Sequence, residues 1–390
     1  MKILKFSIII IVFCILHFQS LSAQFLSKNA EISLITCNPG EELYSVFGHS
    51  AIRVKDYDKG IDWVYNYGTF DFNVPNFYVK FVRGYLNYQL SVYNMQDFLL
   101  EYQQENRSVY EQVLDLTPEE KSKIFNFLEY NRLPENKYYL YDFFFDNCAT
   151  RIRDVFQNEL KENIKFDESK YEGKTFREML KPNLESHPWG RFGINLVLGA
   201  IADRKSTLNE SMFLPDYMKV AFANSSLNKE NLSKSLVKSK MVLFEQKEED
   251  KSILIFTRPG FVFWSVLFIV ILFTFFEYQK KVRYKLVDFL VFLFIGTIGM
   301  ILFLMWFATN HTAVVKNWNL MWAIPTHLFL AFMVFRRAKS NFLKYYFLIT
   351  GIITFSVLPF WSIIPQQYDL AFIPLILLSS MRSYQLFRYY

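Results

Sequence analysis

Five apolar stretches follow Pro259, at 261–276, 286–307, 320–335, 342–361 and 370–381. A membrane span needs about 20 residues, with about 17 as a lower limit. The second and fourth stretches reach that length unaided; the others need flanking residues. Lys280, Lys281, Arg283 and Lys285 follow the first stretch, Arg336, Arg337, Lys339 and Lys344 the third, and Arg382 and Arg388 the fifth. The intervening loops, 308–319 and 362–369, carry one positive residue, Lys316. Ten of the eleven positive charges thus fall on one side, which is the cytoplasmic side. The pattern predicts an all-α membrane domain over 259–390 with about five transmembrane helices, and it places residue 258 outside.

The same charge distribution excludes a nucleic-acid groove, despite a net charge of +6. Residues 24–258 hold 30 Lys/Arg against 34 Asp/Glu, whereas residues 259–390 hold 11 against 3. The basic excess therefore describes membrane topology. At the N-terminus, Lys2 and Lys5 precede an apolar run over 8–18 and a small residue, Ala23. That is the form of a signal peptide, residues 1–23, with an uncleaved anchor as the alternative. Either exports residue 24 onward, in agreement with the loop charges.

Residues 24–258 read as one exported α+β domain. Strands are expected at 31–36, 48–54, 62–67 and 109–116, the second and third joined by a turn over 55–60. Thr117-Pro118-Glu119-Glu120 reads as a helix start, with Thr as N-cap, Pro first and Glu third. An aromatic stretch, 138–145, is expected as a strand leading to a helix that opens at Asp146 or Asn147. Residues 157–240 read as mostly helical, and 241–245 with 253–256 as a final hairpin.

Three residues carry the chemistry. Cys148 falls just inside a helix start, where free N–H groups and the helix dipole stabilise a thiolate. His49 opens a strand after Gly48, which lets another backbone approach. If the turn centres on Asp58, position 51 faces about 66, so His49 and Asn66 share one face within side-chain reach. Cysteine, histidine and a polar orienting residue form the arrangement of papain-like enzymes. The plainer readings are a buried cysteine, a hydrogen-bonded strand histidine and an ordinary strand asparagine. Cys37 is read as a free thiol, the alternative being a disulfide with Cys148. No metal-ligand spacing, phosphate loop or GxSxG occurs, so neither metal nor cofactor is expected.

The order strand histidine, next-strand polar residue, later helix-start cysteine resembles circularly permuted papain-like (NlpC/P60) domains, which include lecithin:retinol acyltransferase. Segments 34–40, 44–54 and 146–154, with His187-Pro188-Trp189-Gly190 and Asn317-Trp318-Asn319-Leu320-Met321-Trp322, resemble more closely the Bacteroidota lipoprotein N-acyltransferase (Lnb) family. The resemblance implies a multi-pass protein of the bacterial inner membrane with a periplasmic catalytic domain. It implies acyl transfer from a membrane phospholipid, through a thioester on Cys148, to the α-amine of a lipoprotein's diacylglyceryl-cysteine. His49 would be the base and Asn66 its orienter. Arg151 is a candidate for a phosphate and His311 and His327 for lipid binding, against solvation for Arg151 and helix–helix hydrogen bonding for His327. Two other functions fit less of the chain: a papain-like cell-wall peptidase or amidase, and a non-catalytic membrane assembly protein.

Overall fold

The computed structural model describes residues 26–229, 232–247, 254–336 and 338–390. The signal-peptide expectation, residues 1–23, lies outside the described residues.

The exported domain is built on a seven-stranded sheet. In chain order its strands are β1 (Glu31–Cys37), β2 (His49–Asp56), β3 (Ile61–Thr69), β4 (Asn87–Asn94), β5 (Val109–Leu114) and β6 (Tyr138–Leu140). Strands β7 (Ile164–Lys165), β8 (Ser226–Lys229) and β9 (Leu232–Ser235) form a separate small sheet, and β10 (Val237–Phe244) returns to the large one. The large sheet has the order β10-β5-β1-β2-β3-β4-β6, and its pairs are antiparallel.

Alternation along the strands sends each strand's apolar residues to two faces. Ile32, Leu34, Ile52, Val54, Tyr65 and Tyr67 join one core, while Ile35, Cys37, Ala51 and Val64 join another. Four helices matter here: α1 (Phe77–Arg83), α2 (Met95–Gln104), α3 (Pro118–Asn131) and α4 (Cys148–Leu160). Helices α3 and α4 cover the first face with Ile124, Phe125, Leu128, Ile152, Val155 and Phe156; α2 covers the second with Phe98 and Tyr102. The expected Thr117 capping box is present, with Thr117 and Glu120 bonding each other's backbone N–H.

Three expectations need correction. The strand expected over 138–145 ends at Leu140, because Asp142 Oδ1 accepts the N–H groups of Phe144 and Phe145 and turns the chain. The expected 241–256 hairpin is absent from the described residues: β10 pairs with β5, some 130 positions earlier, and Ile255–Thr257 is a 3-10 turn. Residues 157–240 hold short helices and 3-10 turns alongside the small sheet, because caps such as Thr175 and Thr207 start helices that end within five residues.

In the C-terminal region, among the described residues, three helices are long and apolar enough to cross a membrane: α6 (Pro259–Lys280), α7 (Lys285–Ala308) and Leu370–Tyr389, whose regular part is α9 (Ile373–Tyr389). Here α5 denotes Pro188–Val197 and α8 denotes Asn341–Ser356, a helix of the fourth apolar stretch. The third stretch is broken into Trp318–Met321, His327–Leu330 and Ala331–Phe335, since Pro325 lacks an N–H for a continuous helix. Helix α5 sits at the joint between domains. Asn317 Nδ2 donates to the Leu196 and Val197 carbonyls at 2.9 Å each, and Gln366 Nε2 donates to the Leu198 carbonyl at 3.2 Å.

Candidate active site

Asn147 determines where α4 begins. Its Oδ1 accepts the N–H groups of Ala149 and Thr150, both at 2.9 Å, and the Asn147 N–H donates to Thr150 Oγ1 at 2.7 Å. A capped helix start therefore presents Cys148 at its first position. The Asn147 amide also donates to the carbonyls of Phe143 and Phe213, so the cap is tied to two neighbouring segments.

The hairpin has the expected register: Ile52 faces Tyr65, so His49 and Asn66 share a face. His49 Nε2 lies 2.6 Å from Asn66 Oδ1. An amide oxygen accepts, so Nε2 carries the proton and Nδ1 is left for the thiol. Gly68 makes the meeting of helix and hairpin possible. Its φ is +93°, and a Cβ there would lie 3.2 Å from Cys148 Cβ. Gly48, at φ +77°, brings the start of β2 against the Cys37 carbonyl, 2.8 Å from where its Cβ would stand.

The electrostatics couple the pair. Burial favours the neutral Cys148 thiol, but the His49 charge, its hydrogen bond, and the Ser50 and Ala149 N–H groups outweigh it and hold the thiol below its ordinary value. For His49, burial favours the neutral ring; the Cys148 charge and bonds to Cys148 and Asn66 outweigh that and raise it. Both shifts run in the direction that favours a thiolate–imidazolium couple. Cys37 is a free, fully buried thiol whose ionisation burial pushes upward.

Cys148 and His49 open into a cavity of about 440 Å³. Its walls are largely apolar and aromatic, with Phe47, Phe70, Tyr88, Tyr141, Phe143 and Phe213 among them. His311, from the loop after α7, also lines it. Arg151 does not: its guanidinium grips the Asp146 carboxylate, with Nη2 at 2.6 Å from Oδ2, and covers the Tyr139 ring at 4.2 Å. His327 is likewise elsewhere, buried in the membrane domain beside Phe292 and bonded through Nδ1 to Tyr346 at 2.8 Å. Its surroundings are those of the helix-packing alternative. Among the described residues no three His, Cys, Asp or Glu side chains gather as a metal site would require.

Two features escaped sequence reasoning. Arg107, a cavity-wall residue, donates to the Asn38 carbonyl at 2.9 Å and stacks on Tyr102. The buried Tyr139 hydroxyl has no hydrogen-bond partner and lies 3.9 Å from the position a Gly68 Cβ would take. Neither belongs to a recognisable motif; only the folded register brings them to Cys148.

Two family models match. Residues 17–182 match the Lnb N-terminal periplasmic domain, and residues 248–390 match the Lnb transmembrane domain. The chain belongs to the Lnb family. No curated protein and no solved structure gives a significant match. A periplasmic α+β domain thus precedes a membrane domain, and the break between the matched regions spans α5, β8, β9 and β10.

Proposed function

We propose that this Lnb-family chain is a thiol-dependent lipoprotein N-acyltransferase of the inner membrane. The observation that carries the reading is the Cys148–His49–Asn66 constellation, whose Cys148 and His49 line an apolar cavity that His311 of the C-terminal region also lines. A cell-wall peptidase would need a polar cleft for its substrate, and these walls offer aromatic rings.

The Cys148 thiolate attacks the ester carbonyl of a phospholipid and forms a C–S bond. The Cys148 N–H, in the first turn of α4, and the Tyr139 hydroxyl hold the oxyanion. As the ester C–O bond breaks, the imidazolium of His49 gives its proton to the leaving alkoxide, and a lysophospholipid departs. The thioester remains on Cys148. The α-amine of a lipoprotein's diacylglyceryl-cysteine then attacks, His49 takes a proton from the nitrogen, and the amide forms as the thiolate leaves. Asn66 keeps the ring aimed through both halves. In this reading the chain crosses the membrane about five times, and its anchoring holds both lipid substrates and enzyme in one leaflet.

The test is incubation with phospholipid alone. The Cys148 peptide should gain one acyl mass, labile to neutral hydroxylamine. A diacylated lipopeptide with a free α-amine should discharge it, and an amine-blocked lipopeptide should not. Normal transfer without any such adduct would overturn the covalent route.

A further inference from the structure

The segment between β3 and β4 forms one lip of the cavity, with Phe70, Phe81, Gly84 and Leu86 on its wall. Its helix, α1, inverts the usual surface pattern. Only Phe77 of its seven residues is buried, while Tyr78, Val79 and Val82 are 77%, 58% and 56% exposed. Phe72, 68% exposed, and the exposed Tyr85 extend the patch on either side. Contiguous apolar surface of this kind marks a contact with something apolar.

Two observations identify the contact. First, the lip is fastened to the outer end of a membrane-crossing helix. Asn310 donates its N–H to the Arg83 carbonyl at 2.8 Å, and His311 Nε2 lies 3.1 Å from the Val82 and 3.2 Å from the Phe81 carbonyl. Both residues follow directly on α7, which ends at Ala308. A helix of 24 residues leaves the hydrocarbon at about its last turn, so the lip lies at the depth of the headgroups. Second, an aromatic series leads inward from the lip. Phe72, Phe70, Tyr88 and Tyr141 follow one another at centroid separations of 5.0, 5.2 and 4.4 Å, and the last three line the cavity that holds Cys148.

We infer that residues 70–86 dip their exposed face into the outer leaflet and form a lateral entry through which a lipid acyl chain reaches Cys148. Tyr78, Val79 and Val82 enter the acyl boundary, and Lys80 and Arg83 stay with the phosphates. The entry role rests on the acyltransferase reading; the insertion does not.

The test has two arms, both on the full chain in vesicles of phosphatidylethanolamine and phosphatidylglycerol. In the first, a fluorophore is attached to Val79→Cys in a Cys148→Ser background. Lipids spin-labelled near the top of the acyl chain should quench it strongly. The same fluorophore on Tyr57→Cys, in the turn at the far end of β2, should be quenched little. Equal quenching at the two sites would overturn insertion. In the second arm, Val79→Asp combined with Val82→Asp should slow acylation of Cys148 by bilayer phospholipid at least about tenfold, since apolar contact with the leaflet is lost. Acylation by a water-soluble short-chain thioester should be unchanged. Equal loss with both donors would overturn the entry role. If neither donor acylates the native protein, the acyltransferase reading fails, and the quenching arm still decides insertion.

Discussion

His49 and Asn66 are joined by a 2.6 Å contact between Nε2 and Oδ1, although 17 positions separate them in the chain. One ring nitrogen is thereby committed to orientation and the other to the thiol. Cys148→Ser should lower transfer at least about 1,000-fold, because an alkoxide is not formed as a thiolate is. His49→Ala should cost about as much, and the double variant little more, since the two act as a unit. Asn66→Ala leaves the ring free to swing and should cost up to about 100-fold, mainly in kcat. Cys37→Ser should retain transfer. Transfer kinetics on the five variants check all of this.

The pH dependence follows from the coupled pair. The Cys148 thiol is held low, so acid loss should begin only as the pH falls through that lowered value. The His49 ring is held high, so alkaline loss should begin as the pH rises through the raised value and the proton for the leaving alkoxide disappears. Alkylation of Cys148 by iodoacetamide should therefore persist below the ordinary thiol range. In His49→Ala, burial acts without its counterweight, and the alkylation inflection should move upward. An unmoved inflection would contradict the couple.

A buried ionic cluster holds one end of the membrane helices together. Arg382 of α9 meets Glu277 of α6 at 2.6 Å and Asp288 of α7 at 2.7 Å, and Arg283 Nε meets Asp288 at 2.9 Å. Arg382 and Asp288 are almost wholly buried. Arg382→Met leaves two carboxylates without their main partner and should destabilise the domain by about 3–5 kcal/mol. Thermal unfolding in detergent should show the loss, with Arg388→Met, on an exposed turn of the same helix, as the control.

The legible parts of this chain were those with local causes. The Thr117 box, the Asn147 start and the β2–β3 turn are short-range devices, so the sequence carried the trio at Cys148, His49 and Asn66. The illegible parts have distant causes. Arg382 reads as one more cytoplasmic cation, and only helix packing turns it into the centre of a cluster. Arg151 looks available until Asp146, five positions earlier, claims it. The aromatic 138–145 stretch has strand composition, yet one aspartate side chain turns it. In sequence His311 is marked only by its short loop; its place on the cavity wall depends on how the β3–β4 segment meets the end of α7. The motif 317–322 carries no chemical role legible in sequence; its asparagines hold α5 across the domain joint.

Strand β10 lies at the edge of the large sheet and, among the described residues, is the last strand made before the first membrane helix. Until it arrives, β5 has one row of backbone groups without a partner, and a bare strand edge of that kind recruits other chains. The nascent protein must carry that open edge through more than 120 residues of synthesis and export. A soluble fragment cut where the first matched region stops, at residue 182, would keep Cys148, His49 and Asn66 and still expose the adhesive edge. Secretion of the periplasmic portion as an independent reagent therefore requires the chain through Phe244.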